Sequence, residues 1–184
     1  MRVISGSARR TNLVAPSGLN TRPTTDRIKE TLFNMINNEL YDCIFVDLFS
    51  GSGAIGIEAL SRGAEGAYFI ENNRTAINCI KENLEKTHLE SKAFVIENSV
   101  LDGIKILERK NIKADIIFMD PPYNNQIEKE VVKALSTSSI IDENTTIIVE
   151  ASLETKMDYL DEYGFDLIKR KDYKTNSHIF LIKK

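Results

Sequence analysis

Ile44-Phe45-Val46-Asp47-Leu48-Phe49-Ser50-Gly51-Ser52-Gly53-Ala54-Ile55-Gly56 passes from a short apolar run through an acid into a glycine-rich loop. The apolar residues are too few for a helix, and Gly51 and Gly53 interrupt any helical period, so residues 44–46 read as a buried strand. Downstream, Ile57, Leu60 and Ala64 lie three to four apart among good helix formers, the spacing of a core-facing stripe. The order is therefore strand, loop, helix. Glycine lets the backbone turn tightly and a ligand approach without a Cβ in the way, while the unpaired N–H groups of the new helix face whatever is bound. Asp47, at the strand's end, can hold a cation or hydroxyls.

Two ligands compete for this loop. Gly51-x-Gly53-x-x-Gly56 satisfies the dinucleotide fingerprint, and Glu71 falls at the end of the next strand, where an acid grips ribose hydroxyls. A nicotinamide cofactor brings a pyrophosphate, which favours an uncluttered helix N-terminus. S-adenosylmethionine brings a sulfonium, an ammonium, a carboxylate and a ribose diol, so the extra acid Asp47 suits it better.

The chain has 184 residues, 42% of them hydrophobic, enough for one core and one domain. No run approaches a membrane span, and the opening Met-Arg-Val-Ile-Ser-Gly lacks a signal peptide's apolar core, so a cytoplasmic protein is expected. Cys43 and Cys79 have no paired spacing and only His88 and His178 to help them, which indicates neither a disulfide framework nor a metal site. The cysteines read as buried thiols and the histidines as structural or surface residues.

Charge is unevenly spread. The net charge is −3, yet residues 1–30 and residues 165–184 each carry +4, leaving −11 between them. Clustered cations at both ends suggest selective phosphate contacts. Residues 2–5 and 11–15 are β-prone runs around Gly-Ser-Ala-Arg-Arg, which predicts a hairpin with Arg9 and Arg10 at a free tip. After a loop over 16–23, Thr24-Thr25-Asp26 opens a helix with Ile28, Leu32, Met35 and Ile36 on one face and a polar opposite face. Arg22 and Arg27 flank this start, offering donors to a ligand as well as to a helix cap.

Beyond the glycine loop, strands are expected at 66–71, 92–97, 114–119 and 145–150, with helices at 74–87, 100–110, 127–135 and 155–160. Such winding implies an α/β fold with a parallel sheet covered on both faces. An antiparallel pair around 165–173 and 178–182 closes the chain. Asp120-Pro121-Pro122-Tyr123 follows the fourth strand, and in a doubly wound sheet of order 3-2-1-4-5 it faces the glycine loop across one crevice. Two prolines remove two donors and hold the chain extended, leaving the Asp120 carboxylate and the Pro121 carbonyl as acceptors beside an aromatic ring. That set suits a planar amine: hydrogen bonds from its two N–H groups help the nitrogen become pyramidal and attack a methyl group, while Tyr123 stacks on the ring.

These motifs resemble those of the Rossmann-like, seven-stranded class I S-adenosylmethionine-dependent amino-methyltransferases. Arg22-Pro-Thr-Thr-Asp-Arg27, Glu30-Thr-Leu-Phe-Asn34 and the run from Asp47 to Arg62 are similar, more closely, to the RsmD-type 16S rRNA guanine-N2 methyltransferases, almost from end to end. The resemblance implies S-adenosylmethionine as cofactor, with Asp47, Ser50, Gly51 and Gly53 shaping its loop, Glu71 on the ribose diol, and Asn98 with Ser99 by the adenine. Asn98 stands where many class I enzymes carry an aspartate. The resemblance also implies a catalytic Asp120–Tyr123 tetrapeptide, RNA contacts from Arg9, Arg10, Arg22 and Arg27, and 16S rRNA or a small-subunit assembly particle as partner, with no metal. Residues 1–40 form the N-terminal hairpin and helix extension and 41–184 the catalytic core. DNA adenine and protein glutamine methyltransferases share the tetrapeptide type and remain alternatives. A nicotinamide oxidoreductase would need a proton-relay residue that is not evident.

Overall fold

The computed structural model describes residues 1–16, 26–122 and 127–184. The apolar runs become strands β1 (Ile44–Asp47), β2 (Gly66–Ile70), β3 (Ala93–Ile96), β4 (Ile116–Met119), β5 (Thr146–Ala151), β6 (Phe165–Asp172) and β7 (Ser177–Lys183). They form one sheet of order β3-β2-β1-β4-β5-β7-β6. The first five are parallel, in the predicted order 3-2-1-4-5, and β7 enters antiparallel between β5 and β6. β1, β2, β4 and β5 are buried almost throughout, as strands covered on both faces must be.

Helices supply the cover. On one face α1 (Asp26–Met35), α2 (Ala54–Ser61) and α3 (Arg74–Thr87) pack onto Phe45, Phe69, Phe118, Ile148 and Phe180; on the other, α4 (Val100–Arg109) and α5 (Ile127–Ser136) pack onto Val46, Ile70, Ile117, Val149 and Leu181. Asn73 caps α3 by accepting from the N–H groups of Thr75 and Ala76. Among the described residues no helix is long and apolar enough to cross a membrane. Both cysteines are free and buried, and burial beside Asp115 pushes the Cys43 thiol up to about 12.

Three local expectations change. Residues 155–160 do not form a helix: they run through turns into a short 3-10 segment, Asp161–Tyr163. Six residues seldom repay helix nucleation, and Met157 and Leu160 reach the core from i-to-i+3 turns instead. The N-terminal runs pair antiparallel as expected, but over a single bridge, Arg2 with Asn12, flanked by Val3 N–H to the Thr11 carbonyl and Leu13 N–H to the Met1 carbonyl, both at 3.0 Å. Their connection is not a free tip. Ser7 N–H donates to the Ser61 carbonyl at 2.8 Å, Ala8 N–H donates to Ser61 Oγ at 3.0 Å, and Gly6 sits so close that a Cβ would lie 1.7 Å from the Ser61 oxygen.

The third change concerns α1, whose buried face holds Lys29, Leu32 and Phe33, with Ile28 only half-buried. Lys29 is fully buried because its ammonium lies 3.2 Å from the equally buried Glu58 of α2. Burial nevertheless pulls that ammonium's pKa below the lysine range, against the pull of Glu58. The Glu58 carboxylate also accepts from Ile4 N–H at 2.8 Å, Ser5 N–H at 3.0 Å and Arg62 Nε at 2.8 Å. Two cations and two amides thus share one buried carboxylate, which ties the N-terminal segment and α1 to α2.

Candidate active site

β1 ends at Asp47, which is 1% exposed, and the chain drops into the glycine loop. Ser50 closes the turn: its hydroxyl donates to the Asp47 carbonyl at 2.9 Å and its N–H to the Ile70 carbonyl at 3.1 Å. Gly51 and Gly53 have φ of 52° and 78°, which glycine adopts without strain. Gly56 serves packing: a Cβ there would lie 2.4 Å from the buried ring of Phe69, so α2 approaches β2 only because the side chain is absent.

Glu71, just past β2, is taken up by the loop. Its carboxylate accepts from Gly51 N–H at 2.9 Å, Asn72 N–H at 2.9 Å and Asn73 N–H at 2.8 Å. Asp47 stands at the start of α2, with the amides of Phe49 and Gly56 holding its pKa down while burial and the charge of Glu71 push it up to about 7. Its Oδ1 is buried with no hydrogen-bond partner among the described residues. Two protein carboxylates therefore occupy the places where a dinucleotide's pyrophosphate would need the amides, and the unpartnered acceptor suits a cationic or hydroxyl-bearing ligand.

Asn98 and Ser99 follow β3. Asn98 is exposed, and its side chain makes no hydrogen bond among the described residues. The Ser99 hydroxyl is committed to capping α4, accepting from Asp102 N–H and contacting Asp102 Oδ2 at 2.9 Å. Asp120 and Pro121 follow β4, Asp120 half-buried and Pro121 buried, while Pro122 is exposed. Tyr123 and Arg22 lie outside the described residues.

Register brings the acids together. Asp47 pairs with Phe118 and Met119 with Val149, and one step beyond the latter pair come Asp120 and Glu150. Side chains two apart share a face, so Asp47, Asp120 and Glu150 emerge on the face covered by α1 to α3. Burial, then the charges of Glu150 and Asp47, raise the Asp120 carboxyl well above the usual range. Glu150 is itself supported: Asn176 Nδ2 donates to its Oε1 at 2.6 Å, and its Oε2 lies 3.1 Å from His178 Nε2. His178 Nδ1 lies 3.1 Å from the Tyr173 hydroxyl, so the imidazole bridges Glu150 and Tyr173.

The sequence reading missed Glu150, His178, Tyr173 and Asn176. Glu150 could have been found by the rule that pointed to Asp47 and Asp120, an acid ending a parallel strand beside the crevice. The others depend on β7 lying against β5.

The predicted cations separate. Arg27 is exposed near the start of α1; its neighbour Asp26 pairs with Arg2 at 3.0 Å, and Met1 Sδ lies 4.0 Å from Ser52 Oγ, which places this end of α1 beside the glycine loop. Arg9 and Arg10 are exposed beside Ser61, at the opposite end of α2 from that loop.

Over residues 1–182 the sequence matches the family described as Conserved hypothetical protein 95. It is 34% identical over 154 residues to the ribosomal RNA small subunit methyltransferase D of Escherichia coli K12, covering 84% of this chain and 76% of the relative. The chain belongs to this RsmD family of rRNA methyltransferases. Another member, the ribosomal RNA small subunit methyltransferase D of Haemophilus influenzae, is 33% identical over 172 residues, with 93% and 88% of the two chains covered. The Escherichia coli yhhF structure, described as that of a candidate methyltransferase, superposes with a TM-score of 0.83 at 30% identity over 100% of this chain and 98% of that one. The α/β class I methyltransferase fold is common to them, and the RsmD family supplies the reaction class against which the site is read below.

Proposed function

We propose that the protein transfers a methyl group from S-adenosylmethionine to the exocyclic N2 amine of a guanine in 16S rRNA, either naked or within a small-subunit assembly particle. The observation that carries this reading is the row of Asp47 and Asp120 at the carboxyl ends of neighbouring strands, one acid set at a glycine loop and the other on a proline-stiffened exit.

Asp47 and the loop of Ser50, Gly51 and Gly53 would hold the cofactor, the unpartnered Asp47 oxygen taking one of its donors. Glu71 orders the loop from beneath and keeps acceptor capacity for a ribose diol, and Asn98 lies free for the adenine. When bound, the cofactor supplies an electrophilic methyl group on a cationic sulfur. Asp120 accepts a hydrogen bond from the target amine, as does the Pro121 carbonyl, and the carboxylate stabilises the positive charge that grows on nitrogen as its lone pair is released. The raised proton affinity of Asp120 equips it to take the proton that the methylated amine must lose. Tyr123 is assigned the stacking role. A base inside a helix cannot offer both its amine and its face, so the guanine must be unpaired or flipped out. Arg27 would hold the backbone close to the site, Arg9 and Arg10 would meet it beyond α2, and Arg22 is assigned a backbone contact as well.

The test is methyl transfer from labelled S-adenosylmethionine to 16S rRNA, read by nucleoside analysis. N2-methylguanosine is expected, and Asp120→Ala should lower turnover by roughly ten- to several-hundred-fold with cofactor affinity kept. Label found only in adenine, in DNA or on a protein glutamine would overturn the assignment.

A further inference from the structure

The basic run Lys169-Arg170-Lys171 in β6 is divided between the two faces of the sheet. A bulge between Leu167 and Lys169 takes up Ile168 and sets the register to Lys169 with Phe180, Arg170 with Ile179, and Lys171 with His178. Without that extra residue Arg170 would oppose His178, and both lysines would turn to the other face. Bulges often re-aim side chains beside functional sites, and this one aims the lysines at the face that bears Asp120, Glu150 and His178.

The three cations differ in what they do for the fold. Arg170 is in use: it donates to Asp172 Oδ1 at 2.8 Å, to the Leu153 carbonyl at 2.7 Å and to the Thr155 carbonyl at 3.3 Å. Lys169 is exposed, its ammonium 5.7 Å over the ring of Phe180. Lys171 is exposed and makes no hydrogen bond or ion pair among the described residues. Strands stand about 4.8 Å apart, so Lys171, three strands from β4, lies roughly 14 Å from the strand of Asp120 along the row through His178 and Glu150. Lys169 follows about 7 Å further down β6 on the same face.

We propose that Lys169 and Lys171 bind backbone phosphates of the RNA strand flanking the nucleotide presented to Asp120. This rests on the rRNA-methyltransferase reading of that site. Two flexible, exposed point charges in a row on the site's own face, neither of them held in an ion pair among the described residues, position a polyanionic strand without reading its bases.

The experiment compares the full chain with its Lys169→Gln/Lys171→Gln and Arg170→Gln variants, using a 16S rRNA transcript as probe. Binding is measured across a salt series, methyl transfer under initial-rate conditions, and S-adenosylmethionine affinity by calorimetry. The double variant should lose about 1.4 from the logarithmic salt slope, about 0.7 for each single-strand phosphate contact, and show a raised KM for RNA with kcat and cofactor affinity near wild type. Arg170→Gln removes a charge from the opposite face and should leave the slope close to wild type. An unchanged slope in the double variant, or an equal loss per charge in Arg170→Gln, overturns the proposal while the methyltransferase reading stands. A wild-type protein that binds cofactor but neither binds nor methylates the transcript or small-subunit assembly particles overturns both.

Discussion

Asp47→Asn should make the fold more stable at alkaline pH while weakening the ligand it serves. In the unfolded chain an aspartate titrates near 3.9. In the fold, burial and Glu71 push Asp47 up to about 7. Below pH 4 the carboxyl is protonated in both states and costs nothing. Between about pH 4 and pH 7 the unfolded chain releases the proton and the folded chain keeps it, so stability falls by about 1.4 kcal/mol per pH unit as pH rises. The loss reaches about 4 kcal/mol above pH 7. Asparagine does not titrate, so the variant's unfolding free energy should gain about 4 kcal/mol on that of the wild type between pH 4 and pH 8, whatever constant offset the amide adds. Asp120 works in the same direction, because the Asp47 charge that hinders its ionisation is gone. Urea unfolding of ligand-free protein in pH steps, with unchanged m-values, measures the gain. Calorimetry at pH 8 should show S-adenosylmethionine bound about ten- to a hundredfold more weakly. A stability difference that is flat across pH, or that favours the variant toward acid, would refute the buried-charge argument.

Glu58→Gln leaves the Lys29 ammonium buried without its counter-charge and should cost about 3–5 kcal/mol in denaturant unfolding; a loss under 1 kcal/mol would contradict the ion cluster. Gly56→Ala drives a methyl into the Phe69 ring and should cost about 1–3 kcal/mol by the same measurement. Glu150→Gln removes a negative charge that raises the Asp120 carboxyl, so the acid limb of the kcat profile should move to lower pH; an unmoved limb in a folded, cofactor-binding variant removes Glu150 from that role.

The parallel core was legible because its signals are local. A short apolar run, an acid, and then glycines or prolines announce a strand that ends at a crevice, and Asp47 and Asp120 were found in that way. What escaped depends on partners distant in sequence. Lys29 counts only as one of the cations of residues 1–30 until Glu58 comes to lie beside it. His178 reads as an isolated histidine until β7 pairs with β5 and sets it against Glu150. Arg9 and Arg10 look like a hairpin tip, since nothing local reveals that Ser61 holds the turn beside them. In β6 the period-two pattern assigns the lysines to the wrong face, because a bulge adds a residue without leaving a composition signal.

Glu58 also bears on how the molecule breathes. Its carboxylate satisfies the amides of Ile4 and Ser5 from one segment, Lys29 from a second and Arg62 from its own helix. Peeling the N-terminal arm away would leave that buried acid short of two donors, so the arm and α2 belong to one cooperative opening unit rather than two. Hydrogen exchange at Ile4 and Ser5 should then follow that of the α2 amides, not that of a fraying terminus. Under the proposed RNA contact, Arg9 and Arg10 would meet the backbone from an anchored arm, with little ordering entropy left to spend on binding.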